Sequence, residues 1–136
     1  MAEFKWSDNQ KAAINADNNN FLISAGAGSG KTAVLTERIF KLVKSGTPIS
    51  KFLVLTFTNA AAASMKTKIR NRLLSDPDLK HLAIEIENSS IETFDAFCLF
   101  LVRKYSFEIG VTREVAPIDN SILDIKKHKF LDDIFD

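Results

Sequence analysis

Eight consecutive residues, Ala25-Gly26-Ala27-Gly28-Ser29-Gly30-Lys31-Thr32, join three glycines to a lysine and a hydroxyl. Glycines strip side chains from a tight loop, so several backbone N–H groups can converge on phosphate oxygens at the positive end of a following helix. Lys31 is placed to reach the β- and γ-phosphates of a nucleotide such as ATP, and the Thr32 hydroxyl to hold Mg²⁺. Ala25 stands where the strict pattern has glycine, a variant the loop accepts. The competing reading is a glycine-rich turn that caps a helix and binds nothing.

A loop of this kind works when a strand delivers it and a helix receives it. Phe21-Leu22-Ile23-Ser24 is a short apolar run directly before the loop and predicts a strand. Val34, Leu35, Ile39 and Phe40 then recur at helical spacing, predicting a helix over 31–44 that Gly46 and Pro48 end. The run 52–57 is apolar and bounded by polar residues, as a strand buried on both faces should be. Strand, helix and strand make a βαβ unit, parallel with a right-handed crossover. Ahead of it, Trp6-Ser7-Asp8-Asn9-Gln10 leads into a short helix through Ala16, with Ser7 or Asp8 as N-cap, and Asp17-Asn18-Asn19-Asn20 breaks it.

Downstream, the four alanines 60–63 followed by Met65, Ile69, Leu73 and Leu74 predict a helix over 59–74. Its Lys66, Lys68, Arg70 and Arg72 concentrate positive charge, for which a solvated helix face is the ordinary explanation. Asp76-Pro77-Asp78 reads as a turn or helix start, 79–86 as a short helix, and 90–94 as a strand feeding a helix over 95–105. Phe94, Phe97, Cys98, Leu101 and Val102 fall on one side of that last helix and are expected in a core. Residues 108–120 read as irregular and 121–136 as a helix that reaches the last residue without a stop signal, as in part of a longer polypeptide.

The chain of 136 residues is 46% hydrophobic and 26% charged with a net charge of +1, so it can build a core but carries no global basic field. Any nucleic-acid partner must be held locally. The single Cys98 excludes an internal disulfide and a cysteine zinc site. No signal peptide and no membrane-spanning apolar run is evident, and a soluble, cytoplasmic protein is the expectation.

Three further blocks stand in order around the loop: Gln10 before the first strand, Thr56-Phe57-Thr58-Asn59 at the end of the second, and Thr93-Phe94-Asp95-Ala96-Phe97-Cys98 after the third. With the loop, this order resembles the N-terminal part of a superfamily 1 DNA helicase of the UvrD/Rep type. In Trp6 to Gln10 and in 56–65 it is similar to the AddA subunit of bacterial helicase-nucleases. The resemblance runs from about Phe4 to the end of the chain.

The resemblance implies an α/β fold: a RecA-like P-loop NTPase fold with a parallel sheet, incomplete, covering residues 1–118 as part of helicase domain 1A. Residues 119–136 would lead toward a further domain, 1B. It implies that Ala25, Gly26, Ala27, Gly28, Ser29, Gly30, Lys31 and Thr32 bind ATP and, through Thr32, Mg²⁺. Gln10 would read adenine, for which a carboxamide can pair with N7 and the exocyclic amine. Ala33 stands where UvrD-type members often carry an arginine, which fits the AddA-like subgroup better. Phe57, Thr58 and Asn59 match a single-strand contact motif: a ring can stack a base of any kind, and Thr and Asn can fix the backbone's register. The alternative for Phe57 is a buried strand end.

Thr93 and Phe94 are the better candidates in a second contact motif, which here has Asp95-Ala96 where His-Ser is usual. An ionised Asp95 beside a phosphate is unfavourable, so Asp95 is expected to cap the following helix. The parent is expected to be an ATP-dependent helicase moving on single-stranded DNA in repair and recombination, with a partner nuclease subunit. These 136 residues hold no Asp-Glu pair ending a strand and no second RecA-like half bringing an arginine finger, so turnover by the chain alone is not expected. Two other readings stay open: a small stand-alone P-loop NTPase or kinase, and a non-catalytic nucleotide- or DNA-binding relic.

Overall fold

The computed structural model describes residues 5–16 and 20–135. The chain divides into two compact units, Met1–Phe94 and Asp95–Asp136. The segment expected to break the first helix lies mostly at 17–19, outside the described residues, as does Phe4.

In the first unit, helix α1 (Asp8–Asn15) is short and buries only Ile14. A helix of that length is marginal by itself. It is closed by a capping box: the Ser7 hydroxyl accepts from the Gln10 N–H at 3.3 Å, and Gln10 Oε1 accepts from the Ser7 N–H at 2.9 Å. Helix α2 (Lys31–Lys44) follows the glycine loop and buries Val34, Thr36, Ile39, Phe40 and Val43. It ends as predicted. Gly46 takes φ +97° and its N–H meets the Val43 carbonyl, while the Thr47 N–H reaches back to Leu42, the paired bonds of a Schellman stop.

Strand β1 (Leu53–Thr56) pairs in parallel with β2 (Ser90–Thr93), with Leu53 opposite Ser90 and Thr56 opposite Thr93. Between them run helix α3 (Asn59–Leu74), N-capped by the Thr58 hydroxyl, and a 3₁₀ segment, Lys80–Asn88. The core of this unit gathers Ile39, Phe40 and Val43 of α2, Val54 and Ile91 of the strands, and Met65, Ile69 and Leu73 of α3. Two parallel strands alone would not persist in water, so α3, which contacts both strands, α2 and the 3₁₀ segment, is what holds them.

The structure corrects two expectations about strands. Residues 21–24 are not a strand: they are irregular and exposed, Leu22 at 95%. A strand exists by pairing, and the sheet formed by the described residues has only β1 and β2. Nor is β1 buried on both faces. Val54 faces the core, whereas Leu53 and Leu55 are exposed on the other side. The basic face of α3 is also less free than a solvated face implies. Arg72 makes a bidentate pair with Glu37 of α2 at 2.7 and 2.9 Å and lies 3.5 Å from the Phe40 ring centroid, and the bond to Glu37 pushes its pKa up. Arg70 pairs with Glu87 at 3.4 Å.

The predicted turn at Asp76 ties α2 to α3. Asp76 Oδ1 accepts from the Asp78 N–H at 3.0 Å, and Oδ2 accepts from Lys44 Nζ at 2.8 Å. The Lys44 bond first, then the Asp78 N–H, holds the carboxyl below its ordinary range. A carboxyl depressed in the folded state contributes stability above its unfolded pKa and loses it as pH falls through the folded one. Asp76→Asn is therefore expected to lower Tm at neutral pH, with the deficit against wild type shrinking below about pH 4. Thermal melts across that range check it.

In the second unit, helix α4 (Phe94–Lys104, its first residue in the first unit) leads through turns to α5 (Asn120–Phe135). Asp119 Oδ1 accepts from the Ser121 N–H at 2.8 Å at the start of α5, and the Ser121 side chain first, then this N–H, lowers the Asp119 pKa. Arg103 donates to the Val115 carbonyl at 3.0 Å. Phe97, Cys98, Leu101 and Val102 are half-buried rather than core, and Phe94 is exposed; α4 has no buried residue. Asp95 is not the cap expected of it, because α4 already begins at Phe94 and Asp95 lies within the first turn.

Candidate nucleotide site and single-strand contact surface

The glycine loop takes its shape from positions where only glycine is unstrained. Gly28 and Gly30 have φ of +76° and +83°, and Gly30 is the N-cap residue of α2. No side chain caps α2, so its first N–H groups remain available to an anion. The loop is folded on itself. The Ser29 hydroxyl donates to the Gly26 carbonyl at 2.8 Å, and Lys31 Nζ donates to the carbonyls of Ala25 at 2.8 Å and Gly26 at 2.6 Å. Around Gly26 and Gly28 there is open space where a side chain would stand. These are features a polyphosphate requires: an ammonium over the loop, unobstructed backbone and an open helix N-terminus. Thr32 is half-buried on the first turn of α2, with its carbonyl accepting from Thr36 Oγ1 at 2.9 Å.

Gln10 comes to this loop from across the chain. Its Nε2 donates to the Ser29 carbonyl at 3.1 Å, and a Cβ added to Gly30 would stand 3.1 Å from the same nitrogen. With Oε1 engaged by Ser7, each end of the carboxamide keeps one hydrogen-bonding position, which is what pairing with a purine edge needs. Gln10 and Lys31 line one cavity of about 510 Å³ with Phe21, Val34 and Arg38. That volume lies in the range of small-molecule sites. Arg38 is the residue that sequence reasoning missed. Its only signal is spacing, since it lies seven residues after Lys31 and so on the same face of α2.

The second group of predicted residues gathers at the carboxyl ends of the strands. The Thr56–Thr93 pair closes the β1–β2 ladder, so Phe57 and Phe94 each leave the sheet one residue later, from neighbouring strands. Phe57 is 100% exposed and Phe94 58%, which removes the buried strand end as an account of Phe57. Thr58 Oγ1 accepts from the Ala61 N–H at 3.1 Å, leaving its hydroxyl hydrogen to donate, and Asn59 is exposed at the start of α3. Thr93 is half-buried.

The glycine loop at the start of α2, with Gln10 folded against it, and the exposed Phe57 and Phe94 at the ends of parallel strands make up the candidate site. The chain belongs to the UvrD/REP helicase N-terminal domain family, which matches residues 6–135. It is similar to bacterial proteins whose names make them the A subunit of an ATP-dependent helicase/nuclease. It is 37% identical to that of Heliobacterium modesticaldum, over 97% of this chain and 10% of the relative. It is 35% identical to that of Lactobacillus johnsonii, over 96% and 12%. With that of Listeria monocytogenes serovar 1/2a the identity is 41%, over 89% and 11%. The chain thus spans about a tenth of the length of these relatives. No helix among the described residues is long and apolar enough to cross a membrane.

Proposed function

We propose that the chain is the ATP-binding N-terminal segment of an ATP-dependent DNA helicase that moves along single-stranded DNA and serves in repair and recombination in the cytoplasm, alongside a nuclease subunit. In this reading residues 1–118 are part of a RecA-like domain 1A, and 119–136 lead toward domain 1B. Ala25 to Gly30 and the first turn of α2 cradle the phosphates, Lys31 neutralises them, Thr32 carries Mg²⁺ and Gln10 meets the adenine edge. Bound Mg²⁺·ATP would supply the phosphoryl group whose hydrolysis drives movement. Phe57 and Phe94 offer stacking platforms, with Thr58, Asn59 and Thr93 beside them for the sugar-phosphate backbone.

The observation that carries this reading is the meeting of Gln10 and Lys31 on one cavity at the glycine loop, although 21 positions separate them in the chain. The exposed pair Phe57 and Phe94 favours a nucleic acid over a small phosphate acceptor as the second ligand. Each stacked base contributes roughly 1–3 kcal/mol, so Phe57→Ala is expected to weaken binding of a labelled oligothymidylate about 5- to 160-fold without changing nucleotide affinity. Fluorescence anisotropy at fixed salt measures this. Equal binding by wild type and variant would remove Phe57 from the contact surface.

A further inference from the structure

Arg38 makes a set of contacts that no phosphate or nucleic-acid role uses. Its Nη1 faces three carbonyls at the end of α1: Ala13 at 3.2 Å, Ile14 at 3.3 Å and Ala16 at 2.6 Å. Its guanidinium carbon lies 4.8 Å from the centroid of the Phe21 ring. A cation here meets the negative end of the α1 dipole as well as the orphan carbonyls of its last turn. The remaining attachment of α1 to α2 is thin: the one buried side chain Ile14, and Lys41 Nζ donating to Asn15 Oδ1 at 2.6 Å. Gln10 lies one turn before Ile14 on the same face, so whatever fixes the end of α1 fixes where the Gln10 carboxamide stands. The glycine loop and Lys31, in contrast, are continuous with α2 and meet α1 through the Gln10 bond to the Ser29 carbonyl.

We infer that Arg38 is the positioning residue for base recognition: by clamping the last carbonyls of α1 onto α2 it holds Gln10 at the purine edge, and it leaves phosphate recognition to the loop. This rests on the nucleotide-site reading given above. It separates two properties that a general structural role would move together. Without the clamp, α1 shifts and discrimination between adenine and guanine fades, whereas an unadorned polyphosphate still finds the loop.

The test is competition binding to the 136-residue chain with ATP, GTP and inorganic tripolyphosphate, for wild type, Gln10→Ala, Arg38→Met and Arg38→Lys. Wild type should prefer ATP to GTP by about tenfold, as expected for one bidentate amide–base pair, and Arg38→Met should bring the ratio to about that of Gln10→Ala. Tripolyphosphate affinity should fall far less than ATP affinity. Lysine keeps the charge but not the fork, so Arg38→Lys should restore part of the preference. It also reads the role if the methionine variant does not fold. An unchanged ATP to GTP ratio in the folded Arg38 variants overturns the inference, as does a parallel loss of all three ligands. Wild type that binds tripolyphosphate with no base preference overturns it too, with the phosphate site intact. Wild type that binds none of the three removes the nucleotide site itself.

Discussion

Replacing Lys31 by alanine is expected to weaken ATP binding about 10- to 100-fold, the range for losing charge-assisted bonds to a polyphosphate. The gross interaction is larger than that. Lys31 Nζ donates to the carbonyls of Ala25 and Gly26, at 2.8 and 2.6 Å, and phosphate oxygens must compete with those partners. Only the difference between the two sets of bonds reaches the affinity. The same exchange predicts a second effect. The unliganded variant loses the two bonds that close the loop, so amide exchange over 25–30 should quicken while α2 stays protected. Calorimetric titration with Mg²⁺·ATP gives the first quantity and hydrogen exchange the second. Unaltered ATP affinity in the variant would make the glycine loop a helix cap and nothing more.

What could be read from the sequence was what is decided locally. The left-handed Gly46, with Pro48 beyond it, ends α2 for steric reasons that six residues contain. The 3.6-residue recurrence of Met65, Ile69 and Leu73 placed α3 at 59–74, and those three are its core-facing residues together with Ala62. What failed was what depends on partners far away in the chain. Residues 21–24 have a strand's composition and no strand's pairing. Leu53 and Leu55 have the apolarity of a doubly covered strand, and one covered face. Phe97 and Leu101 have core spacing on a helix that buries nothing completely. The candidate site follows the same division. The loop is visible as a local pattern, while the Arg38 contact with α1 spans 22 to 25 positions and is announced by no local signal. Gln10 was found through the resemblance, and only the folded chain brings its carboxamide to the Ser29 carbonyl.

Ile69→Ala is expected to destabilise the first unit by about 2–5 kcal/mol, the cost of deleting a buried branched side chain and leaving part of the space unfilled. Ile69 is 0% exposed at the centre of α3, in the cluster that joins α2, both strands and the 3₁₀ segment. Leu74, five residues on and 52% exposed, serves as the control, and its truncation should cost within about 0.5 kcal/mol. Denaturant midpoints with unchanged slopes separate the two. Against a typical total of about 5–15 kcal/mol, the Ile69 loss is a large fraction. Its consequences should reach function by a definite route. β1 and β2 form a two-stranded parallel sheet held by α3, so loosening α3 frees the Thr56–Thr93 pair and with it the spacing of Phe57 and Phe94. Oligothymidylate binding should therefore weaken in Ile69→Ala at temperatures where helicity by circular dichroism is still native. If binding instead persists until the helices melt, the two aromatic residues do not need the ladder to act together, and the contact surface reduces to single stacking sites.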